Sequence, residues 1–314
     1  MLDDLSQSAV ITSMLVGMVR IATPILLAAL GVLITNRAGI MNLGFEGIML
    51  MGAYVGFLAA QQTQSIPLAI IAAVVAGGLL SLLMVFMAAT LKVDQTVTGI
   101  GLNILASGLS FYWYRVAYKT ATAEVMPSIE TMRQLNIPVL SQIPVLGEIF
   151  FSHTILTYFA FLMVPVMWFF LYKTKYGLEI RCLGENPRAV DVKGVNITRL
   201  QYLAVIAGGM LGGLGGAYLT VGAVGIFVPN ISAGRGWLAI VIAIAGNWRP
   251  FPILLATMAF SLLDAFQLQA QALGVQFPYQ ILLALPYALA IILMIGTRTR
   301  SEVPSAMGVP YYRE

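Results

Sequence analysis

The sequence predicts an all-α fold, a polytopic transmembrane helical bundle of eight to ten spans with broken or re-entrant segments. Three observations carry that prediction. Only 10% of the 314 residues are charged and 59% are hydrophobic, whereas a soluble domain carries about 25% charged residues. Mean hydropathy is +0.89. Runs such as ILTYFAFLMVPVMWFFLY (155–172) are apolar all round, where a membrane β-barrel would alternate polar and apolar positions. At ~20 residues per crossing, nine crossings would take ~180 residues, close to the hydrophobic content.

The apolar segments fall at about 8–34, 42–61, 67–91, 96–118, 153–172, 200–228, 236–248, 250–272 and 279–296. Segment 236–248 is too short for an ordinary crossing, so it starts earlier or re-enters the membrane. Six basic residues (Lys173, Lys175, Arg181, Arg188, Lys193 and Arg199) crowd one loop. The loop 119–152 has Lys119 and Arg133 against Glu124, Glu130 and Glu148. By the positive-inside rule, loop 173–199 and the C-terminus, with Arg298, Arg300 and Arg313, are cytoplasmic and 119–152 is outside. The net charge of +4 then reflects basic loops, not nucleic-acid binding. The opening MLDDLSQS has no basic n-region, so no removable signal peptide is expected.

Enzymatic chemistry has little to stand on. The chain has no G-x-x-x-x-G-K-[ST], no H-E-x-x-H and no G-x-S-x-G, and only one histidine (His153) and one cysteine (Cys182). No metal site or disulfide framework follows from such a set.

Four segments carry polar chemistry. NRAGIMNLGFEG (36–47) breaks two apolar runs, and backbone at membrane depth must be satisfied by protein or by a water-filled cavity. It is either part of a transport site or an ordinary turn, and Arg20 and Glu46 make a plausible pair across it. A related motif, GIFVPN (225–230), echoes GIMNLG (39–44) after another long apolar run. In SLLDAFQLQAQ (261–271), Ser261, Asp264, Gln267 and Gln271 share a helix face that should avoid lipid. Asn103 is similarly placed in 96–118. Asn42, Glu46, Asn103, Asp264 and Gln267 are thus the candidate solute-pathway residues, the alternative being that they hold helices together. GGMLGGLGG (208–216) contains three overlapping G-x-x-x-G pairs and signals close helix packing. Finally, LEIRCLGENPRAVDVKGVN (178–196) reads as a short helix opened by Asn186-Pro187 and ended by Gly194, suited to docking a soluble partner.

The stretches NRAGIMNLGFEGIMLMGAY (36–54), GENPRAVDVKGVN (184–196) and FPYQILLALPYALAI (277–291) together resemble ABC importer permeases of the branched-chain amino acid/ribose/nucleoside superfamily. Within it the chain is most similar to permeases of nucleoside or simple-sugar importers that use basic-membrane-protein-type binding lipoproteins. The resemblance covers nearly the whole length and implies one permease domain over 1–314 in the cell membrane. It implies coupling to an ATPase through Gly184, Glu185, Asn186, Pro187, Arg188, Ala189, Val190 and Gly194, with Gly184 allowing a tight turn and Val190 as the apolar contact. The implied partners are an ATP-binding cassette ATPase, a second and longer permease paralogue, an extracytoplasmic solute-binding lipoprotein and membrane lipid. The chain itself would need no cofactor, since ATP and Mg would be bound by the ATPase. The expected function is that of a non-enzymatic permease subunit for nucleosides or related sugars. The alternatives are a permease for branched-chain amino acids or another small polar solute, or an ion-coupled secondary transporter.

Overall fold

A computed structural model describes residues 2–118, 127–136, 146–273 and 303–312, with single positions at 280, 284, 285, 288 and 291. The expected span 279–296 therefore lies outside the described residues apart from those positions. The described chain is helical almost throughout: α1 (Leu2–Arg37), α2 (Phe45–Thr63), α3 (Ile66–Val85), α4 (Gln95–Ala117), α5 (Leu146–Phe151), α6 (Ile155–Lys173), α7 (Lys175–Glu185), α8 (Pro187–Val192), α9 (Ile197–Ala217), α10 (Arg235–Ala245) and α11 (Pro250–Ala272). Among the described residues, five helical stretches are long and apolar enough to cross a membrane: Val10–Arg37, Ile66–Thr90, Ile155–Lys173, Ile197–Val224 and Pro250–Ala272. The chain is thus an all-α, multi-pass membrane protein. The long loop adds a detail that the apolar pattern did not predict: two three-residue strands, β1 (Gln134–Asn136) and β2 (Ser152–Thr154), paired antiparallel. Within β2 the lone histidine, His153, is buried with its Nε2 2.8 Å from the Ile149 carbonyl oxygen, and burial holds its pKa below the usual imidazole value.

The architecture is organised around α9 and α1. Helix α9 packs on α1, α2 and α3, while α1 also packs on α6, α10 and α11. Both helices therefore sit inside the bundle, and from Ala22 to Ile40 every residue of α1 and its exit is buried. Helix α3 shows how the sequence sorts faces. Leu68, Ile71, Val75 and Leu79 point outward, whereas Ala69, Ala73, Gly77 and Ser81, spaced four apart, face the bundle. In lipid an apolar surface gains nothing by leaving the lipid tails, so helices associate where small residues allow backbone contact.

The glycine run of α9 meets that requirement on three sides. Gly208 abuts the backbone of Gly31 in α1, and Gly215 abuts that of Pro24. Gly209 and Gly213 lie against Gly77 and Ala73 of α3, and Gly216 against Met49 and Ala53 of α2. The neighbours are themselves small or are backbone atoms, so the approach is mutual. The glycines of the overlapping G-x-x-x-G pairs are thus packing contacts: Gly209 and Gly213 face α3, Gly212 and Gly216 face α2, and Gly208 faces α1.

Both informative motifs end long helices. Helix α1 stops at Arg37, and Gly39 takes a left-handed conformation (φ 79°). Helix α9 widens into a π-helical segment, Tyr218–Val224, and Gly225 then takes φ 76°. The echo between 39–44 and 225–230 therefore corresponds to two like chain breaks, each opened by a glycine that L side chains would strain. Helix α10 has only 11 residues, about 16 Å at 1.5 Å per residue. As the sequence implied, it cannot span a bilayer core of about 30 Å.

Filling a backbone contact should be far worse than filling open space. Gly213→Val is expected to lower bundle stability by about 3 kcal/mol, since neither Ala73 nor Gly77 has a side chain that can swing aside. Gly101→Ala, on α4 with nothing within 4 Å of the added methyl, should be neutral or gain up to about 1 kcal/mol of helix propensity. Thermal unfolding in detergent, followed on purified protein, checks both.

Candidate functional site

The first cluster surrounds the break between α1 and α2. Backbone amides freed by a helix end must find acceptors when water is scarce, and the side chains flagged in the sequence supply them. Asn42, itself buried, accepts from the Gly44 N–H at 2.8 Å and so starts α2. Asn103 on α4 grips the break at two points: its Oδ1 accepts from Gly47 N–H at 2.8 Å and its Nδ2 donates to the Leu43 carbonyl at 2.9 Å. Gln95, at the start of α4, accepts from Met41 N–H at 2.7 Å.

Glu46 has a different partner from the one expected. Its Oε1 accepts from Gly234 N–H at 2.8 Å and its Oε2 from Gly236 N–H at 2.7 Å. The carboxylate thus clasps the N-terminus of α10, where free amides and the helix dipole favour a negative charge. Gly234 has φ 82°, and a Cβ at Gly236 would collide with the Glu46 backbone, so glycine is required for this approach. The pairing of Arg20 with Glu46 is therefore corrected. Arg20 instead lines a small cavity with His153, Thr154, Gln134 and Tyr218, midway along α1.

Helix α11 brings the second carboxylate to the same half-helix. Asp264 is half-buried and within electrostatic reach of Arg235, the first residue of α10. Ser261 and Gln267 are buried on the same side of α11, whereas Gln271 is exposed and drops out of the expected stripe. Glu46 thus sits at the start of α10, and Asp264 on α11 feels the charge of Arg235, the first residue of α10. Asn42 and Asn103 act one step back, on the backbone that carries Glu46.

The second cluster is the basic loop. Asn186 caps α8, accepting from Ala189 N–H at 3.2 Å, with Pro187 in the first turn and Gly194 at φ 74° after its end. Two expectations change. Gly184 lies within α7, not at a turn; a side chain there would strike the Arg37 carbonyl and crowd Pro304. Val190 is buried in the protein's own core, while Val192 is 89% exposed. The apolar residue that α8 leaves open is Val192, and Val190 is its anchor. Arg188, Ala189 and Lys193 flank Val192 on the open side, whereas Glu185, although exposed, is held 3.6 Å from Arg37.

Arg37 carries more of the structure than its place in a polar stretch suggests. It is buried, donates through Nε and Nη2 to the Trp248 carbonyl at 3.2 and 3.1 Å, and faces Glu185. It therefore joins the ends of α1, α10 and α7. Trp248 is fully buried and left-handed (φ 49°), a conformation that costs a bulky residue energy unless its surroundings hold it. A basic residue directly after a long apolar run, facing a Gly-Asn-Trp helix exit, was the available signal.

Comparison with known proteins agrees with this geometry. The sequence profile of the family described as branched-chain amino acid transport system / permease component matches residues 14–297. The TsgC13 protein of Haloferax volcanii, named as a putative glucose ABC transporter permease, is 36% identical over 94% of this chain and 96% of its own. The guanosine ABC transporter permease NupQ of Bacillus subtilis is 34% identical, covering 93% and 94%. The nucleoside ABC transporter permease NupC of Lactococcus lactis is 32% identical, also covering 93% and 94%. Each of these organisms has a further ABC transporter permease (TsgB13, NupP and NupB) that matches more distantly, at 27%, 27% and 24% identity. No solved structure matches the chain.

The Glu46 clasp generates a test. Glu46→Gln keeps the shape but replaces one accepting oxygen with an NH2 that faces a backbone donor. Loss of a charge-assisted bond should cost roughly 2 kcal/mol. Hydrogen exchange at residues 232–238 should quicken while that of α3 stays unchanged, and unchanged exchange at 232–238 would remove the clasp as a stabilising contact.

Proposed function

We propose that this chain, which belongs to the family of branched-chain amino acid transport system permease components, imports nucleosides or related simple sugars. Family membership makes it a membrane-spanning ABC transporter permease subunit, a transport component and not an enzyme. An ion-coupled secondary transporter is set aside on the same ground. The observation that carries the mechanism is α8: a capped six-residue helix on a basic loop, with Val192 open to solvent and Val190 anchored inside. No P-loop occurs in the sequence, so the ATPase acts in trans, holding ATP and Mg itself.

The substrate reading rests on likeness to a glucose, a guanosine and a nucleoside permease. Both solute classes are neutral and rich in hydroxyl groups, and such groups suit a pathway with few fixed charges. Asp264 and Gln267, on the α11 face beside α10, are the groups we assign to touch solute. Asn42, Glu46 and Asn103 fix the wall of that pathway. A second permease completes the membrane unit, as suggested by the paired permeases of the related organisms. An extracytoplasmic solute-binding lipoprotein delivers the solute.

The direction comes from the charge imbalance. Loop 173–199, which includes α7 and α8, faces the cytoplasm and loop 119–152 faces outside. In a Cys182→Ser background, Val192→Cys should react with an impermeant thiol reagent only from the cytoplasmic side, and Glu130→Cys only from outside. Reversed labelling would place α8 away from any ATPase.

In reconstituted complex, excess unlabelled guanosine should suppress ATP-dependent uptake of labelled solute more than leucine does. Suppression by leucine alone would move the assignment to branched-chain amino acids. Val192→Glu should reduce co-purification of the ATPase by tenfold or more, because a carboxylate at a desolvated contact loses hydration without gaining a partner. Retained association with normal transport would remove α8 as the coupling element.

A further inference from the structure

The segment 303–312 lies outside every motif the sequence singled out, yet it touches three separate parts of the cytoplasmic end. Ala306 N–H donates to the Gly184 carbonyl at 2.8 Å, and Gly308 N–H donates to the Gly39 carbonyl at 3.1 Å. These are backbone bonds to α7 and to the α1–α2 break. At its far end the Tyr311 hydroxyl donates to Asp191 of α8 at 3.0 Å, and the Lys92 ammonium, after α3, sits 3.7 Å above the Tyr312 ring. Pro304 is buried against Gly184, and a turn closes 304–307 with a 3.0 Å bond from Met307 N–H to the Pro304 carbonyl.

The bonds form a continuous chain. From Asp191 it runs through Tyr311 to Gly308, across to Gly39, and through Arg37 to Trp248 at the exit of α10. The start of α10 is in turn held by Glu46. Under the tail is a cavity of about 350 Å³, lined by Lys92, Gln95, Asp191, Asn196, Gln201 and Tyr311 among others. The buried Gln95 Nε2 has no hydrogen-bond partner beside it. The coupling loop is thus held by a few discrete bonds, and the Tyr311–Asp191 bond itself borders free space, an arrangement that permits a second position.

We propose that residues 303–312 are a tie that makes α8 and the α1–α2 break move together, with Tyr311 as a positioning residue for coupling ATP hydrolysis to transport. The proposal rests on the reading of α8 as the coupling helix. A tether of backbone bonds at Gly39 and Gly184 transmits displacement whatever side chains surround it. The Tyr311 bond adds the connection to the helix that meets the ATPase. Without the tie, α8 can follow the ATPase while the break and α10 stay behind.

The measurement is the number of solute molecules moved per ATP hydrolysed by the reconstituted complex. A chain ending at Val303 should still co-purify with the ATPase and hydrolyse ATP, with the transport-to-hydrolysis ratio down tenfold or more. Tyr311→Phe, which removes one hydroxyl and leaves the packing, should lower that ratio roughly three- to tenfold, the net worth of one ordinary hydrogen bond. A merely structural tail would lower protein yield and thermal stability and leave the ratio alone. An unchanged ratio in Tyr311→Phe overturns Tyr311 as a positioning residue, and an unchanged ratio in the truncated chain overturns the tie. If the truncated chain fails to insert, Tyr311→Phe decides alone. Loss of ATPase association in Val192→Glu with unchanged ratios in both tail variants would sink the tie and keep the coupling helix. Normal association in Val192→Glu would instead sink the reading of α8.

Discussion

Backbone contact at α9 is the constraint on which the rest of the structure depends. Water drives a soluble core together, but lipid does not, so a membrane bundle holds by close packing and by satisfied polar groups. Helix α9 answers with glycine on the faces turned to α1, α2 and α3; Gly208, Gly209, Gly213, Gly215 and Gly216 are opposed by another small residue or by bare backbone, and Gly212 by Ile48 and Phe45. Such a contact has little compliance. A leucine core can repack by changing rotamers, but main chains already touching cannot approach further and lose dispersion contact steeply if they separate. The relative placement of α1, α2, α3 and α9 is thereby fixed, and so are the places where α1 and α9 run out.

At those ends, hydrogen-bond satisfaction takes over from packing. Helices of a fixed bundle leave free amides and carbonyls at set positions, and each of the following meets a side chain suited to it. Gly44 finds Asn42, Gly47 finds Asn103, Gly234 and Gly236 find Glu46, and the Trp248 carbonyl finds Arg37. A charge in a span is expensive, and here Glu46 and Arg37 are retained because a backbone group of opposite polarity waits for each. The half-helix α10 is thus gripped by ionic side chains at both ends, Glu46 at its start and Arg37 at its exit.

Much of this was legible in the sequence, and the pattern of success is physical. The helices α1, α3, α6, α9 and α11 were evident because long apolar runs have one reading in a membrane, and α8 was evident because Asn-Pro and Gly punctuate it. The glycine run announced close packing but could not say which glycine faced which helix. Pairings across the chain were the blind spot. Glu46 was matched to Arg20 because opposite charges are the visible partners in a sequence, whereas its partners are two N–H groups, which every residue but proline carries. Val190 and Val192 are indistinguishable by type, and on a six-residue helix only tertiary contact decides which one turns inward. The 303–312 tail bonds largely through its backbone and left no compositional mark beyond two prolines and a glycine.

The coupling role proposed for α8 requires two faces, one that receives force and one that passes it on, and α8 has an open face and a held one. Val192 with Arg188 and Lys193 forms the open face; Val190 and Asp191 form the held one, through the core and through Tyr311. The glycine-packed helices cannot deform to absorb a push, so displacement of α8 must appear where the structure is jointed: at Gly194, at Gly39 and Gly308, and at the left-handed exit of α10. The first of these borders the cavity under residues 303–312, and the last is reached through Arg37 and the Trp248 carbonyl. Rigidity at the centre is therefore what the proposed transmission at the periphery requires. A looser core would dissipate the same motion among side chains before it reached the Glu46–α10 clasp.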